Sequence, residues 1–212
     1  MNYLEIINKC LVELNYKQVN SFSELTKNEH KKLKNIINII NSEICSLDKW
    51  NFLLRKEKLL LKKNTGELEN TINGKINSLI IGVEKYEYNP NYETFFTNSQ
   101  PQNTYSLFDD EILLPIFNQD KDVEILYYTK NCAKDINGQE KFQLQEEKDS
   151  SLIPLPFVEP ILVYGTCMRL KGNPQHARFN YWFSMYKDAL ANLRSKVAET
   201  IDEYPTVKMF RR

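Results

Sequence analysis

Glycine and histidine are scarce in this 212-residue chain, which contains six glycines and two histidines. The glycines form neither a Walker A loop nor a dinucleotide-binding pattern, and the HExxH and EF-hand patterns are missing as well. These absences exclude the nucleotide-binding, metalloprotease and calcium-binding classes that depend on those motifs. We therefore expect no cofactor.

Cysteine is present but not grouped, because the four residues lie far apart in sequence and form no CxxC pair. With only two histidines to complete a ligand set, a metal site is not expected. Cys10 and Cys45 fall on the apolar faces of predicted helices, where a free cysteine usually behaves as a small buried hydrophobe. We expect reduced thiols and a reducing cytoplasm. The four residues are Cys10, Cys45, Cys132 and Cys167.

An excess of charge of either sign is also absent, since 28 Lys and Arg balance 28 Asp and Glu. A neutral chain lacks the cationic surface of a dedicated nucleic-acid binder, so any contact with DNA should be weak. The apolar runs are too short to cross a bilayer, and the N-terminus has no basic segment followed by an apolar block. We expect a soluble protein with no signal peptide and no membrane contact.

Helical periodicity is concentrated at the two ends of the chain. Leu4, Ile7 and Leu11 recur at three- and four-residue steps and predict a helix over 3–14, and a similar stripe predicts one over about 27–47. Near the other end, prolines and Gly172 delimit a helix over 160–171. A last helix is predicted from Asn173 to about 203. Its apolar positions are Phe179, Phe183, Tyr186, Leu190, Leu193, Val197 and Ile201.

Short strand-like runs fill the middle of the chain, separated by turn residues and by a long polar loop over 88–102. Because these runs follow one another without helices, an antiparallel sheet is favoured over βαβ units. The runs are 52–55, 58–61, 78–83, 104–108, 111–114 and 123–128.

The predicted fold class is α+β: a four-helix domain formed by N- and C-terminal helices, with an antiparallel β-sandwich or barrel-like insertion. The helical domain would comprise 1–49 and 157–203, and the β-rich insertion would comprise 50–156. Residues 204–212 would form an extended tail of apolar and basic character.

Carboxylates could in principle carry chemistry at two places. The run 109–111 could hold a divalent cation or act in acid/base catalysis, but a hairpin turn is favoured because Phe108 and Ile112 flank it like strand ends. The second group lies among lysines and is interpreted as a solvated loop. It consists of Glu140, Glu146, Glu147 and Asp149.

Neither histidine lies near a recognisable serine or cysteine nucleophile motif, so His30 and His176 are expected to be surface or helix-cap residues. No catalytic residue is predicted, and the chain is not expected to be an enzyme. A hydrolase that uses 109–111 with His176 is the weaker alternative.

A basic cluster and an aromatic row remain as candidate contact surfaces. The cluster, which spans 55–63, could follow a nucleic-acid backbone, although a solvated face is the favoured interpretation. The aromatic row surrounds the last helix, so Tyr181 and Trp182 are candidate inter-subunit residues, with core packing as the alternative. The basic residues are Arg55, Lys56, Lys58, Lys62 and Lys63, and the aromatic ones are Phe179, Tyr181, Trp182, Phe183 and Tyr186.

Five segments of the chain, taken in order, form a pattern that can be compared with known families. They are Val19–Phe22, Asp48–Arg55, Tyr127–Tyr128, Ile153–Phe157 and the aromatic helix with Ala177. In order and spacing, over nearly the whole chain, they resemble the head-to-tail adaptor proteins of short-tailed phages. These are also called connector, tail tubular or head-completion ring proteins, and crAss-like phages carry comparable ring proteins. The resemblance supplies no catalytic residue.

The resemblance implies a structural virion protein that forms a ring of about twelve copies and joins the portal to the tail nozzle. The expected partners are the portal protein, tail nozzle or tail tube proteins and further copies of the chain, while DNA passes through the lumen without specific binding. The expected location is the neck or tail of the virion, after assembly in the host cytoplasm. A nucleic-acid-binding or other phage interaction module is the alternative.

The resemblance also implies that the C-terminal segment extends from the body and docks on the portal. In this chain the segment is 204–212, which is similar in placement and character. The portal-docking candidates are Tyr204, Pro205, Val207, Met209, Phe210, Arg211 and Arg212.

Overall fold

The computed structural model describes residues 1–97 and 102–197 and has the predicted α+β architecture. Helices occur at both ends of the chain, and strands fill the middle. Three of the four helices lie where the sequence predicts them, and the fourth begins later. The helices are α1 (Tyr3–Glu13), α2 (Asn28–Leu47), α3 (Gly165–Lys171, extending a wider π-type turn, Pro160–Tyr164) and α4 (Phe179–Val197).

Local signals in the sequence explain where α1 and α3 begin and end. Asn2 caps α1 by accepting the Glu5 backbone N–H at 2.9 Å, while the Glu5 carboxylate accepts the Asn2 N–H at 3.0 Å. This reciprocal capping box satisfies two backbone donors that a helix start leaves unpaired. At the end of α3, Gly172 has a φ of 56°, the left-handed conformation that glycine adopts without strain.

Helix α4 begins at Phe179 and not at Asn173 as predicted. The Asn173 side chain accepts the backbone N–H of Gln175 at 2.9 Å, and the His176 ring accepts that of Arg178 at 3.2 Å. These side-chain acceptors favour successive turns over a helix, which is how asparagine competes with helical hydrogen bonding. The predicted end near residue 203 lies outside the described residues.

The main sheet has seven strands in the order β1-β7-β3-β4-β5-β6-β2. Adjacent strands are antiparallel except for β4 and β5, which pair in parallel over two residues each. The edge strands β1 and β2 are joined by the short connection 62–66, so the sheet curls into a nearly closed, barrel-like form, as predicted. The strands are β1 (Leu54–Leu61), β2 (Glu67–Glu69), β3 (Gly74–Ile81), β4 (Glu84–Tyr88), β5 (Thr104–Phe108), β6 (Glu111–Leu113) and β7 (Lys121–Thr129).

Hydrophobic side chains on one face of this sheet form its own core, which includes Leu61, Leu79, Ile112, Val123 and Ile125. They come from four different strands. The sequence does not predict strands β2 and β4, because both are short and mostly charged. The predicted run 78–83 also extends too far, since Gly82 and Val83 form the turn between β3 and β4.

A second, three-stranded sheet packs against the helices. Its strands are β8 (Ala133–Lys134), β9 (Glu140–Lys141) and β10 (Ser150–Ser151), in the order β10-β8-β9. Ala133, Leu144 and Ile153 from this region belong to the same hydrophobic core as α1, α2 and α4. The predicted end of the β-rich insertion at residue 156 stays a prediction. In the structure, buried side chains from residue 132 onward pack in the helical core.

Candidate functional site

The portal-docking candidates at 204–212 lie outside the described residues, as do the last residues predicted to belong to α4. Their assignment to docking rests on the resemblance and stays a prediction.

Trp182 is a core residue, so its assignment to an inter-subunit surface is wrong. Its side chain is 0% exposed, it stacks on His176 with ring centroids 5.2 Å apart, and its indole N–H donates to the Glu13 carboxylate at 3.1 Å. Arg178 also reaches that carboxylate, at 3.3 Å. The indole therefore fills the space between the α4 start and the end of α1, with its polar atom satisfied.

Tyr181 differs sharply from its neighbour, because its side chain is 49% exposed. Its ring packs edge-on against Tyr164 at 5.5 Å, and the two hydroxyls lie 3.4 Å apart. Tyr181 thus stays a candidate for contact with another subunit.

We expect Trp182→Ala and Tyr181→Ala to affect stability very differently. Truncating the buried indole creates a cavity and should lower the free energy of unfolding by about 3–5 kcal/mol. Tyr181→Ala removes a half-exposed ring and should cost less than about 1.5 kcal/mol. Urea unfolding of both variants measures the difference. Equal losses would mean that Trp182 does not anchor α4 as described.

Helix α4 buries a narrow stripe, centred on Trp182, Ala189 and Leu193. Roughly a quarter turn to either side of this stripe, the helix exposes Tyr181 on one flank and Phe183 (47% exposed) on the other. Further apolar residues widen each flank: Met185 (36% exposed) lies beside Tyr181, and the Phe179 ring lies parallel to that of Phe183 at 6.4 Å. We call Tyr181 and Met185 the first flank, and Phe179 and Phe183 the second flank.

A third exposed apolar surface lies where the segment 88–102, predicted to be a polar loop, packs on strand β5 of the main sheet. The Tyr92 ring stacks on Phe108 at 4.6 Å, and Phe96 packs edge-on against the same ring at 6.0 Å. These side chains, which we call the sheet aromatic patch, are 37–59% exposed. Alternation within the sequence could not reveal the patch, because Tyr92 and Phe96 lie in an irregular helical turn, Tyr92–Phe96.

Three of the five basic residues at 55–63 are neutralised by ion pairs. The Arg55 guanidinium pairs with Glu140 at 2.5 Å, Lys56 with Glu124 at 2.7 Å and Lys58 with Asp122 at 2.8 Å. Two of these pairs join β1 to β7 across the sheet, where opposite charges on neighbouring strands stabilise pairing. This arrangement favours the interpretation as a solvated face and gives no support to a nucleic-acid groove.

The run 109–111 forms a hairpin turn, as favoured from the sequence. Asp109 and Asp110 both have positive φ, 47° and 62°, and connect β5 to β6, which pair from Phe108 with Glu111. Positive φ at both central residues is typical of the tight turn that matches strand twist. Within 1–97 and 102–197, no group of three or more His, Cys, Asp or Glu side chains is placed to hold a metal ion.

The acidic stretch at 140–149 is in part the solvated loop expected from the sequence, because Glu146 is exposed, but the expectation is wrong for Asp149, which is buried and clamps the loop. The Asp149 side chain is 1% exposed, and its carboxylate accepts the backbone N–H groups of Gln145 and Glu146, both at 2.8 Å, and the Lys141 ammonium at 3.1 Å. The Asp149 carbonyl also accepts the Tyr3 N–H at 2.7 Å. One residue therefore folds the loop and joins it to the start of α1.

These contacts set the pKa of the Asp149 carboxyl. Burial alone raises that pKa, but the backbone N–H groups of Glu146 and Gln145 and the Lys141 ammonium outweigh burial and lower it below its ordinary value. A lowered pKa in the folded state stabilises the fold above the unfolded-state pKa of about 3.9. The contribution is lost as the pH falls through the lower, folded-state pKa.

We expect Asp149→Ala to lower the free energy of unfolding at pH 7 by about 3 kcal/mol, because two backbone donors and one ammonium lose their acceptor. The deficit relative to wild type should shrink as the pH falls below about 4, where the unfolded carboxyl takes up its proton, and through the lower pKa at which the folded wild-type carboxylate becomes protonated. Urea unfolding at a series of pH values measures both effects. Glu146→Ala, at an exposed carboxylate of the same loop, is the matched control and should change stability little. A pH-independent deficit would contradict this account.

The four cysteines, distant in sequence, lie in two pairs in the fold, and all are free thiols. The Cys167 thiol donates to the Cys10 carbonyl at 3.8 Å, and both side chains are 0% exposed in the helical core. Cys45 and Cys132 form the second pair and line one cavity of about 430 Å³. Spacing along the chain gave no sign of either pair, since each joins distant segments.

No helix in the described part of the chain combines the length and apolar character that a bilayer span requires. No protein-family model matches the chain, and comparison with curated proteins finds no match either.

Proposed function

We propose that this protein is a structural adaptor of a phage particle, whose copies form a ring between the portal and the tail. The observation that carries the proposal is the surface of α4. Its two flanks expose aromatic and apolar side chains on opposite sides of one helix. Exposed apolar side chains grouped in this way are typical of surfaces that other proteins cover.

Apolar surfaces on opposite sides suit a ring better than a two-fold dimer. In a head-to-tail ring, each copy uses one surface toward the next copy and a different surface toward the previous one. A two-fold dimer would need only one surface, which contacts itself. We therefore assign the first flank to one neighbour and the second flank to the other.

Two further parts of the chain are available to contact the tail and the portal in such an assembly. The sheet aromatic patch lies on the β-rich part of the chain, which is assigned to the tail side. The tail at 204–212 is assigned to the portal. A formal net charge of zero and the ion-paired lysines of β1 suit a channel that DNA must traverse during genome ejection without being held.

Electron microscopy of the full chain, alone and mixed with the portal protein of the same phage, tests the proposal. We expect rings of the protein seated coaxially on the portal. Particles that remain single copies at every portal concentration would contradict an adaptor ring. Salt-sensitive DNA binding by the single copies would then favour the nucleic-acid-binding alternative.

A further inference from the structure

The second cysteine pair lies where α2 ends beside the connection from β7 to β8. Cys45 belongs to the last turns of α2, and Cys132 follows β7. Both line the cavity of about 430 Å³, together with Ser46, Asp48 and Thr129. The two residues therefore line the wall of the same cavity, and little of either is exposed, 7% of Cys45 and 2% of Cys132.

Hydrogen bonds hold the two cysteines against each other. Asn41, one helical turn before Cys45 on the same face of α2, donates its side-chain amide to the Cys132 carbonyl at 2.9 Å. The Asn41 amide oxygen in turn accepts the Ser151 hydroxyl at 2.6 Å, and this contact is buried. The Cys132 N–H donates to the Lys141 carbonyl at 3.1 Å, so the Cys132 backbone is fixed on two sides.

The two thiols shift each other's pKa, and the Cys132 thiol also donates to the Lys130 carbonyl at 3.5 Å. The hydrogen bond from Cys45 lowers the pKa of the Cys132 thiol, and burial opposes this effect while Ser42 adds to it. The same hydrogen bond and burial raise the pKa of the Cys45 thiol. Cys132 is thus the thiol that ionises first, and the thiolate is the reactive form of cysteine.

The rim of the cavity is cationic. Lys49, Lys75 and Lys130 line it and are exposed. Among the described lining residues Asp48 is the single carboxylate, and Arg194 pairs with it at 2.9 Å. An anionic molecule is therefore favoured near the thiols.

We propose that Cys132 and Cys45 form a thiol–disulfide exchange site for small anionic disulfides of the oxidised-glutathione type. The Cys132 thiolate attacks one sulfur of the small disulfide, forms a mixed disulfide and releases one thiolate, which takes up a proton. Cys45 then loses its proton and attacks the Cys132 sulfur, which releases the second small thiol. The small disulfide is the oxidant: it is reduced to two thiols while the protein gains one disulfide.

The resulting bridge would fasten α2 to the segment that connects the two hydrophobic cores. Cys132 directly follows Lys130 and Asn131, which lead from the main sheet to the helical core, whereas Cys45 is part of the helical core. The exchange site would therefore control how firmly the main sheet is held on the helical body.

The other cysteine pair serves as an internal control for the reactivity of the pair at the cavity. Cys10 and Cys167 are both 0% exposed, and burial together with the hydrogen bond from Cys167 raises the pKa of the Cys10 thiol. A pair whose two side chains are fully enclosed should not react in the folded protein. Only the pair at the cavity should be oxidised.

The test incubates the folded full chain with oxidised glutathione at pH 8 and stops the exchange with acid. The remaining thiols are then blocked with N-ethylmaleimide at near-neutral pH in denaturant, and disulfides are mapped by mass spectrometry. We expect a Cys45–Cys132 disulfide and alkylated Cys10 and Cys167. Oxidation of Cys10 and Cys167 at an equal rate, or no bridge at Cys45 and Cys132, would overturn the proposal.

Two variants test the order of steps. Cys45→Ser should accumulate glutathione on Cys132, because the second attack is removed. Cys132→Ser should slow modification of Cys45 by at least about tenfold, because the more acidic thiol is missing. The uncharged hydroxyethyl disulfide should react more slowly with wild type than oxidised glutathione does, and added salt should narrow the gap. Equal rates for the two variants would contradict the assignment of Cys132 as the nucleophile, and the wild-type map decides the proposal even if a variant fails to fold.

Discussion

Deletion of residues 204–212 is expected to weaken binding to the portal by at least about 100-fold. The segment contains Val207, Met209 and Phe210 beside Arg211 and Arg212, and aromatic and arginine side chains dominate the binding energy of protein interfaces. Surface plasmon resonance with immobilised portal rings measures the loss. The hydrophobic cores that the structure describes extend no further than Leu193, so the thermal unfolding midpoint should stay unchanged.

The matched control replaces 204–212 with a Gly-Ser segment of equal length. A flexible replacement keeps the chain length but removes the apolar and cationic side chains, so it should bind as weakly as the deletion. Restored affinity would show that length alone matters. Unchanged affinity in both variants would show that the docking role of the tail is wrong, while ring formation would still be open to test.

Periodicity and turn chemistry predicted the features that depend on neighbouring residues. The stripes of α1 and α2, the left-handed Gly172 and the turn at Asp109 and Asp110 were all predictable, because the determining residues lie within one or two turns of each other. The α+β class followed from the order of these local patterns. Strand pairing did not follow, since β1 and β7 meet only after the chain between them has folded.

The wrong predictions concern side chains whose burial depends on contacts with residues distant in sequence. Aromatic residues on most of the α4 circumference left the orientation of that helix ambiguous, and the contact between Trp182 and Glu13, far away in sequence, settles it. Charged neighbours in sequence favour a solvated Asp149. In the fold, its carbonyl accepts the Tyr3 N–H and its carboxylate binds the Lys141 ammonium. The pairing of Cys45 with Cys132 likewise depends on Asn41 and the second sheet.

Introducing a charge on either flank of α4 is expected to abolish the ring without unfolding the protein. In Tyr181→Glu the first flank carries a carboxylate, and in Phe183→Glu the second flank does. Burying an unpaired charge in an apolar interface should weaken each contact by at least about 100-fold. Both side chains are nearly half exposed in the single copy, so the thermal unfolding midpoint should change little. Ala191→Glu, an exposed position on the face of α4 opposite the buried stripe, is the control and should still form rings.

Mixing the two charged variants distinguishes a head-to-tail ring from a two-fold contact. A Tyr181→Glu copy keeps the second flank, and a Phe183→Glu copy keeps the first flank, so each mixed pair has one intact interface of the head-to-tail kind. Mass photometry of the protein without portal, at concentrations where wild type associates, should show monomers for each variant alone and heterodimers for the mixture. If one variant alone forms dimers, a flank contacts its own copy, and the arrangement is two-fold. The mixed pair has only charged flanks at its two ends, so it cannot bind further copies. A particle with the mass of two copies therefore shows that the first flank of one copy binds the second flank of the other.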